Sequence, residues 1–344
     1  MIWIAWRFQR SVVCALAVLA LIIIGAAIVL GVAEHHDLVQ LMRPPCHGGE
    51  PKTPGRGDYC GELQARWASV NDYSSYIRAA GLIIAPLVGA LLGLLALVSE
   101  IDNRTARLAW TQSISRTHWF GAKAGVGAAL VMIILVPTAI VLSWWNGTIG
   151  VKDLFQPQTF GVAGWDLVAY GLFTFALTLL LGAVIRRVGW TLAASVLLFL
   201  VVALAVPKLV RVHLATPTVA WSQPAVVAQG GFSGNSYSGE FPGNAWILVN
   251  GVAPRSTVGT PTWKVVDASL SRIDPCINGF ATKTQNQYVK AEVACYKKFD
   301  VENVVVYIAD NQFWTVQLRE GLLYLVAGLV LTGGALTIVR RIEP

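Results

Sequence analysis

Four of the five cysteines form two pairs outside the apolar stretches of the sequence. Cys46 and Cys60 flank a Pro- and Gly-rich segment, and Cys276 and Cys295 lie much later in the chain. Paired thiols in polar segments favour disulfides in an oxidising compartment, within each pair or between the pairs. A metal site is the alternative, because three histidines lie near the first pair: His35, His36 and His47. Their spacing matches no zinc pattern, so we expect disulfides and no bound metal.

Other patterns that could carry chemistry are weak. The nearest match to a phosphate-binding loop is Gly121-x-x-x-Gly125-x-Gly127, with Lys123 inside it. It lacks the Gly-Lys-Ser/Thr ending and opens an apolar stretch, so it predicts helix packing instead of nucleotide binding. The acids nearest the apolar stretches lie only at their ends: Glu100, Asp102, Asp166 and Glu320. The sequence therefore predicts no catalytic centre, no ATP hydrolysis by this chain and no proton relay at mid-membrane.

The composition identifies the elements that must position these residues. Of 344 residues, 55% are hydrophobic and 13% are charged, and the mean hydropathy is +0.58. A membrane helix needs about 20 apolar residues. Six stretches qualify, and the first is too long for a signal peptide. The predicted spans 1 to 6 are residues 11–33, 77–99, 121–145, 165–185, 190–207 and 320–339.

Basic residues near the span ends predict the orientation. They precede span 1, separate spans 2 and 3, and follow spans 4 and 6, and an even number of spans puts all four groups on one side. These residues are Arg7, Arg10, Arg104, Arg107, Arg116, Lys123, Arg186, Arg187, Arg340 and Arg341. We therefore expect a multi-pass plasma-membrane protein with both termini cytoplasmic. The net charge of +7 fits this orientation and attraction to anionic lipid, and no nucleic-acid partner is expected.

Two longer polar segments are expected outside the cell. Residues 34–76 predict a mostly irregular loop that contains Cys46 and Cys60. Residues 208–319 contain β-like runs at 246–252, 263–266 and 303–309, which predict a small domain, β-rich or α+β, with a Cys276–Cys295 bridge. Residues 1–10 mix Trp, Ile and Arg, which is typical of an interfacial helix. The predicted fold is thus an all-α membrane protein of six helices with a small extracytoplasmic domain between spans 5 and 6.

Small residues and prolines interrupt several spans. Gly89 and Gly93 form a G-x-x-x-G pair in span 2, which predicts close packing against another helix. Pro86 and Pro137 remove backbone hydrogen bonds inside spans 2 and 3. In span 6, Gly328 is followed by a Gly-Gly pair.

The polar connector between spans 2 and 3, residues 100–120, is the most informative segment. It reads EIDNRTARLAWTQSISRTHWF, and together with Lys123 it resembles the signature of type-2 ABC permeases, the membrane subunits of ATP-driven exporters. The matching residues are Glu100, Thr105, Leu108, Thr111, Gln112, Ser113, Ser115, Arg116 and Lys123. A second run, Tyr307 to Gln317, resembles the Tyr-x-Pro-Ala…Trp-x-x-Gln motif of actinobacterial members, with Ile308-Ala309 in place of Pro-Ala.

The resemblance implies a division of labour. Such permeases pair with a second copy or a sister permease, a homodimer being expected here, and each binds one cytoplasmic ATPase subunit that carries ATP and magnesium. The connector would be the helix seated in the ATPase. The residues that would contact the ATPase or anchor the connector are Glu100, Arg104, Arg107, Leu108, Trp110 and Arg116. The cargo would be an amphipathic drug, peptide antibiotic or lipid.

Two other classes of function stay open at this point. A membrane-anchored ligand sensor or immunity protein would use the outer domain without transport, and the connector argues against it. An integral membrane enzyme would need clustered acids or histidines, which the spans lack.

Overall fold

The protein is described here by a computed structural model, which covers residues 2–43, 56–102, 115–148, 154–222, 245–254, 298 and 300–341. The chain divides into two compact units. Unit one comprises residues 1–151, 156–214 and 314–344, and unit two comprises residues 152–155 and 215–313. Each unit is described by itself.

Among the residues that the structure describes, unit one contains six helices that are long and apolar enough to cross a membrane, which confirms the predicted number of spans. They are α1 (Ile2–Leu41), α2 (Arg56–Gly93), α4 (Arg116–Thr148), α6 (Asp166–Ile185), α7 (Val188–Leu209) and α8 (Phe313–Arg341). Two short helices are α3 (Ser99–Asp102) and α5 (Pro157–Phe160), and a 3-10 turn at Arg211–His213 follows α7. Each long helix runs opposite to the next. One end of the unit, the connector end, carries Glu100, Arg116, Arg186 and Arg340, and the opposite end carries Glu34, Asp166, Arg211 and Glu320.

The helices extend further than the apolar stretches predict. The predicted loop 34–76 is helical over 34–41 and 56–76, because an α-helix that has formed its first turns propagates readily into polar sequence. Pro44 and Pro45 follow soon after the end of α1, where proline disfavours helix in the preceding residue. Residues 2–10 are helical and continue directly into the rest of α1, and their interfacial position stays a prediction.

Helix α2 does not stop at Pro86 but changes its winding near the connector end. A π-helical segment, Leu94–Val98, joins α2 directly to α3, and four of its five residues are buried: Leu94, Ala96, Leu97 and Val98. A π-turn inserts an extra residue and shifts the faces of the helix beyond it. The residues of α3 therefore lie on different sides of the helix from the sides they would occupy if α2 continued as a regular α-helix.

The core of unit one lies along α6 and α2. In the most apolar window of each span, 72% of α6 and 67% of the α2 segment is buried, against 11% for α7. A Cβ added at Gly89 would lie 2.2 Å from the carbonyl oxygen of Gly171, and one at Gly93 would lie 2.8 Å from Cβ of Thr178. The predicted close packing at this glycine pair is thus present, and its partner is α6.

Unit two contains a three-stranded antiparallel sheet in the order β1–β3–β2. The strands are β1 (Thr218–Ser222), β2 (Trp246–Pro254) and β3 (Val301–Ile308). Strand β3 pairs with both neighbours, and a register shift lies between Ile247 and Val249. Phe155 stacks on Trp246 at 5.5 Å and meets Phe313 edge-on. The predicted runs 246–252 and 303–309 are strands, whereas 263–266, Cys276 and Cys295 lie outside the described residues.

The unit boundaries correct the predicted domain limits. The outer domain was predicted to begin at residue 208, yet α7 continues to Leu209 and unit one to residue 214. The last helix likewise begins at Phe313 and not at 320, because the first turns of α8 have an apolar face that includes Val316 and is buried.

Cys60 lies in α2 and is disulfide-bonded. Cys46 lies outside the described residues, so both predicted pairings stay predictions.

Candidate functional sites at the two ends of the helical unit

The connector is described only at its two ends. Arg104, Arg107, Leu108 and Trp110 lie outside the described residues. The remaining two predicted site residues, Glu100 in α3 and Arg116 at the start of α4, are described.

Glu100 forms an ion pair with Lys123 of α4. The side chains are 27% and 14% exposed, so the pair is partly shielded from water. It joins the helix that enters the connector to the helix that leaves it. Both residues belong to the run that resembles the permease signature, and the structure brings them together across the segment between them.

Two further hydrogen bonds tie the connector to other spans. Arg116 donates from Nη1 to the carbonyl oxygen of Arg340 in α8 at 3.2 Å. The backbone N–H of Val188, at the start of α7, donates to Oδ2 of Asp102 at 3.3 Å. A carboxylate at a helix N-terminus also interacts favourably with the helix dipole. Asp102 was absent from the predicted site. Its position two residues after Glu100, at the end of the same span, was the signal that could have included it.

The turn between α6 and α7 is held in one tight conformation. Arg186 has φ of 59°, a left-handed conformation that is uncommon for a residue with a side chain, and it caps the C-terminus of α6 through its N–H to the carbonyl oxygen of Gly182. The connector end therefore carries hydrogen bonds or ion pairs that link α3, α4, α7 and α8. A force on the connector would reach several spans directly.

A buried ionic cluster lies at the opposite end. Arg211 donates from Nε to Oε2 of Glu320 at 2.7 Å and from Nη2 to Oε1 at 2.9 Å. Both residues are almost fully buried, and the hydroxyl of Tyr170 in α6 donates to Oε1 at 3.1 Å. The guanidinium also lies 3.7 Å from the ring centroid of Phe160. A two-pronged pair of this kind is geometrically demanding, and it joins α6, the end of α7 and α8.

Gln317 fixes the loop before α6. Its amide nitrogen donates to the carbonyl oxygens of Phe160 and Ala163, at 2.9 and 2.7 Å. Gly164 has φ of +63°, and a Cβ there would lie 2.1 Å from Oε1 of Gln317, so only glycine fits. The glutamine at the end of the second motif thus has a structural function inside unit one.

Asp166, the first residue of α6, is fully buried beside this cluster. Neither carboxylate oxygen has a hydrogen-bond partner among the residues that the structure describes. From the sequence, Asp166 and Glu320 are expected at the ends of spans, where an acid is readily solvated. Their burial was missed because Arg211 was assigned to the outer domain. The signal for this burial was the opposite charge of Arg211, after the end of α7, and Glu320, near the start of the next long helix.

A second polar cluster at the opposite end joins α1, α2 and α4. Glu34 accepts hydrogen bonds from Nε1 of Trp145 at 2.7 Å and from the hydroxyl of Ser74. Arg78 lies over the Trp145 ring, 5.1 Å from the centroid, and Asp37 pairs with Arg66 at 3.3 Å. Charged residues of α1 and α2, together with Trp145 of α4, fix these three helices relative to one another.

Two of the three histidines of the predicted metal alternative, His35 and His36, are exposed on α1. His35 and His36 border a cavity of about 330 Å³ together with Arg43 and Trp144. Within the described ranges, no group of three or more His, Cys, Asp or Glu side chains is arranged to hold a metal ion. His47 and Cys46 lie outside those ranges.

A family model described as ABC-2 membrane transporter related matches residues 13–211, more than half of the chain. The chain belongs to this family. Neither a curated protein nor a solved structure matches it.

Membership of the ABC-2 membrane transporter related family identifies an ABC-2 type permease, and six apolar helices make it a multi-pass membrane protein. The matched range contains the whole connector and Asp166, and it ends at Arg211. Glu320 and the second motif lie beyond it. The family is one of transport subunits and not of enzymes, in agreement with a sequence that offers no catalytic centre.

Proposed function

We propose that this ABC-2 permease is the membrane subunit of an ATP-driven exporter whose connector, residues 100–120, receives the force of a separate cytoplasmic ATPase. The observation that carries the proposal is the attachment of the connector's ends to the spans. Glu100 pairs with Lys123, Asp102 accepts from Val188, and Arg116 donates to Arg340. A segment held in this way transmits a displacement to α4, α7 and α8 together.

The proposal assigns contact with the ATPase to Arg104, Arg107, Leu108 and Trp110, and anchoring to Glu100 and Arg116. Basic and apolar side chains suit an acidic, partly apolar groove on a partner. ATP and magnesium would bind to the ATPase subunits, two per transporter. The connector end is then the cytoplasmic end, as the positive-inside rule predicts.

A second permease copy completes the translocation path in this proposal. Support comes from α7, of which only 11% is buried within the chain in its most apolar window. Its outward side chains include Leu197, Leu200 and Leu204. Such a face suits another copy of the same helix bundle as well as lipid.

The cargo is proposed to be an amphipathic drug, peptide antibiotic or lipid. The outer domain is proposed to carry the Cys276–Cys295 bridge.

Co-expression and co-purification with an ABC ATPase subunit test the coupling. Arg107→Ala with Leu108→Ala should abolish both the complex and its ATPase activity in lipid nanodiscs. The matched control is Lys208→Ala with Leu209→Ala, an adjacent pair in which a basic residue again precedes a leucine, at the opposite end of unit one. The control should retain both.

Two outcomes would overturn the proposal. If the connector variant binds the ATPase as tightly as the wild type, the assigned contact is wrong. If the folded wild-type protein binds no ATPase, a ligand sensor that acts through its outer domain becomes the better proposal for its function.

A further inference from the structure

Asp166 is the one fully buried carboxylate, among those the structure describes, whose two oxygens both lack a hydrogen-bond partner. It begins α6 and points toward α8, since a Cβ added at Gly321 would lie 3.1 Å from Oδ1. Buried polar groups in proteins are almost always satisfied, so a carboxylate of this kind requires an explanation.

Among the side chains that the structure describes, the charges around Asp166 do not balance. Glu320, on α8, carries one negative charge, and Arg211, after α7, carries the positive charge paired with it. Arg319 is exposed, and its guanidinium donates to the carbonyl oxygen of Leu214. Tyr170 and Tyr324 contribute neutral hydroxyls to the same cluster. An ionised Asp166 therefore leaves one uncompensated negative charge.

Arg211 is not free to neutralise Asp166. Its Nε and Nη2 both donate to Glu320, and its plane lies over the ring of Phe160. The dipole of α6 favours an anion at Asp166 only modestly. The cost of burying an unpaired carboxylate is much larger. The helix dipole alone cannot keep a bare carboxylate here.

We infer that Asp166 is the binding site for a single monovalent cation, a proton or Na⁺, held between α6 and α8 beside the Arg211–Glu320 pair. One positive charge makes the cluster neutral, whereas a divalent ion would face Arg211 with excess charge. An occupied site stabilises the packing of α6 on α8, and an empty one weakens it. This site is independent of the ATPase, so it does not depend on the proposed function.

Thermal unfolding in nanodiscs, followed by tryptophan fluorescence, tests the site with protons and Na⁺ as the probes. Wild type is compared with Asp166→Asn, which has the same shape without the charge. The control is Glu62→Gln, an exposed carboxylate of α2. Tm is measured from mildly acidic to mildly alkaline pH, in NaCl or in N-methylglucamine chloride of equal ionic strength.

A proton site predicts that the wild-type Tm falls by several degrees as the pH rises without Na⁺, because the buried acid must lose its proton. Asp166→Asn should remove this part of the pH dependence, and Glu62→Gln should keep it. A Na⁺ site predicts that Na⁺ raises the wild-type Tm at alkaline pH and leaves that of Asp166→Asn unchanged. If Asp166→Asn responds to pH and Na⁺ just as the wild type does, the site does not exist.

Carbodiimide labelling of the wild type gives the answer if Asp166→Asn does not fold. Carbodiimides react with carboxyls, and peptide mass spectrometry locates the product. Labelling of Asp166 that decreases at alkaline pH or in Na⁺ supports the site. Labelling of Asp166 that is unaffected by both conditions, or absent in all of them, overturns it.

Discussion

Single charged residues hold the opposite end of the helical unit together. Arg211 and Glu320 are separated by more than a hundred positions, yet they form a two-pronged, buried pair to which Tyr170 adds a third hydrogen bond. In such a pair the attraction is offset by the loss of hydration, so its main effect is seen when one partner is removed. The pair specifies where the ends of α7 and α8 meet.

Removing one member of the pair should be more harmful than removing both. We expect Arg211→Met to lower the free energy of unfolding by about 3–5 kcal/mol, because the Glu320 carboxylate is then buried and unpaired. The double variant Arg211→Met with Glu320→Met should be clearly more stable than Arg211→Met alone. Denaturation in detergent with wild type and Glu62→Gln as references measures this. Additive losses in the double variant would contradict a direct pair.

At the scale of elements, glycines decide which helices form the core. The predicted G-x-x-x-G contact is confirmed, but the sequence could not name its partner, because Gly171 on α6 carries no comparable repeat. The same limitation explains why Asp166 and Arg211 were not recognised as neighbours. Periodicity and hydropathy locate helices along the chain, whereas their pairing depends on side-chain shapes at contacts distant in sequence.

A methyl group at Gly89 should separate α2 from α6. Gly89→Ala places a Cβ 2.2 Å from a backbone oxygen that cannot rotate away. We expect a loss of about 1–3 kcal/mol, as for other overpacked contacts. Gly25→Ala in α1, where nothing lies within 4 Å of the added atom, is the matched control and should be neutral or slightly stabilising. Equal Tm values for the two variants would disprove the close contact.

The Glu100–Lys123 pair should affect coupling more than stability. Because both side chains are partly exposed, Glu100→Gln or Lys123→Gln should change the free energy of unfolding by less than about 1 kcal/mol. If the pair transmits force from the connector, each variant should keep the ATPase bound and lose stimulation of ATP hydrolysis by cargo. The exchange Glu100→Lys with Lys123→Glu should restore part of that stimulation. Wild-type stimulation in both single variants would restrict the pair to a structural role.

For the whole molecule, the sequence predicted six spans, the two strand runs and the permease family. The sequence underestimated the lengths of α1, α2 and α8. The apolar stretch of a span ends at the boundary of the hydrocarbon core, whereas helical hydrogen bonding continues beyond that boundary. The contact residues of the connector and the cysteine pairing of the outer domain stay predictions.

The orientation of the chain can be tested with cysteines added one at a time to a Cys14→Ala background, whose own labelling at the four remaining native cysteines is the reference. Met42→Cys lies at the exposed end of α1, and Ser115→Cys lies at the exposed start of α4. An impermeant maleimide should label the first in intact cells and the second only after permeabilisation. The reverse pattern would place the connector outside the cell and remove the basis for ATPase binding.

The backbone contact between α2 and α6 has a mechanical consequence. Two helices whose main chains touch without intervening side chains cannot slide or roll past each other without breaking that contact. They form a spine that moves as one body. A passage for cargo then has to open by displacement of the less buried helices α1, α7 and α8 around this spine. A force on the connector would reach the spine through α3, which is joined to α2 by the π-helical segment.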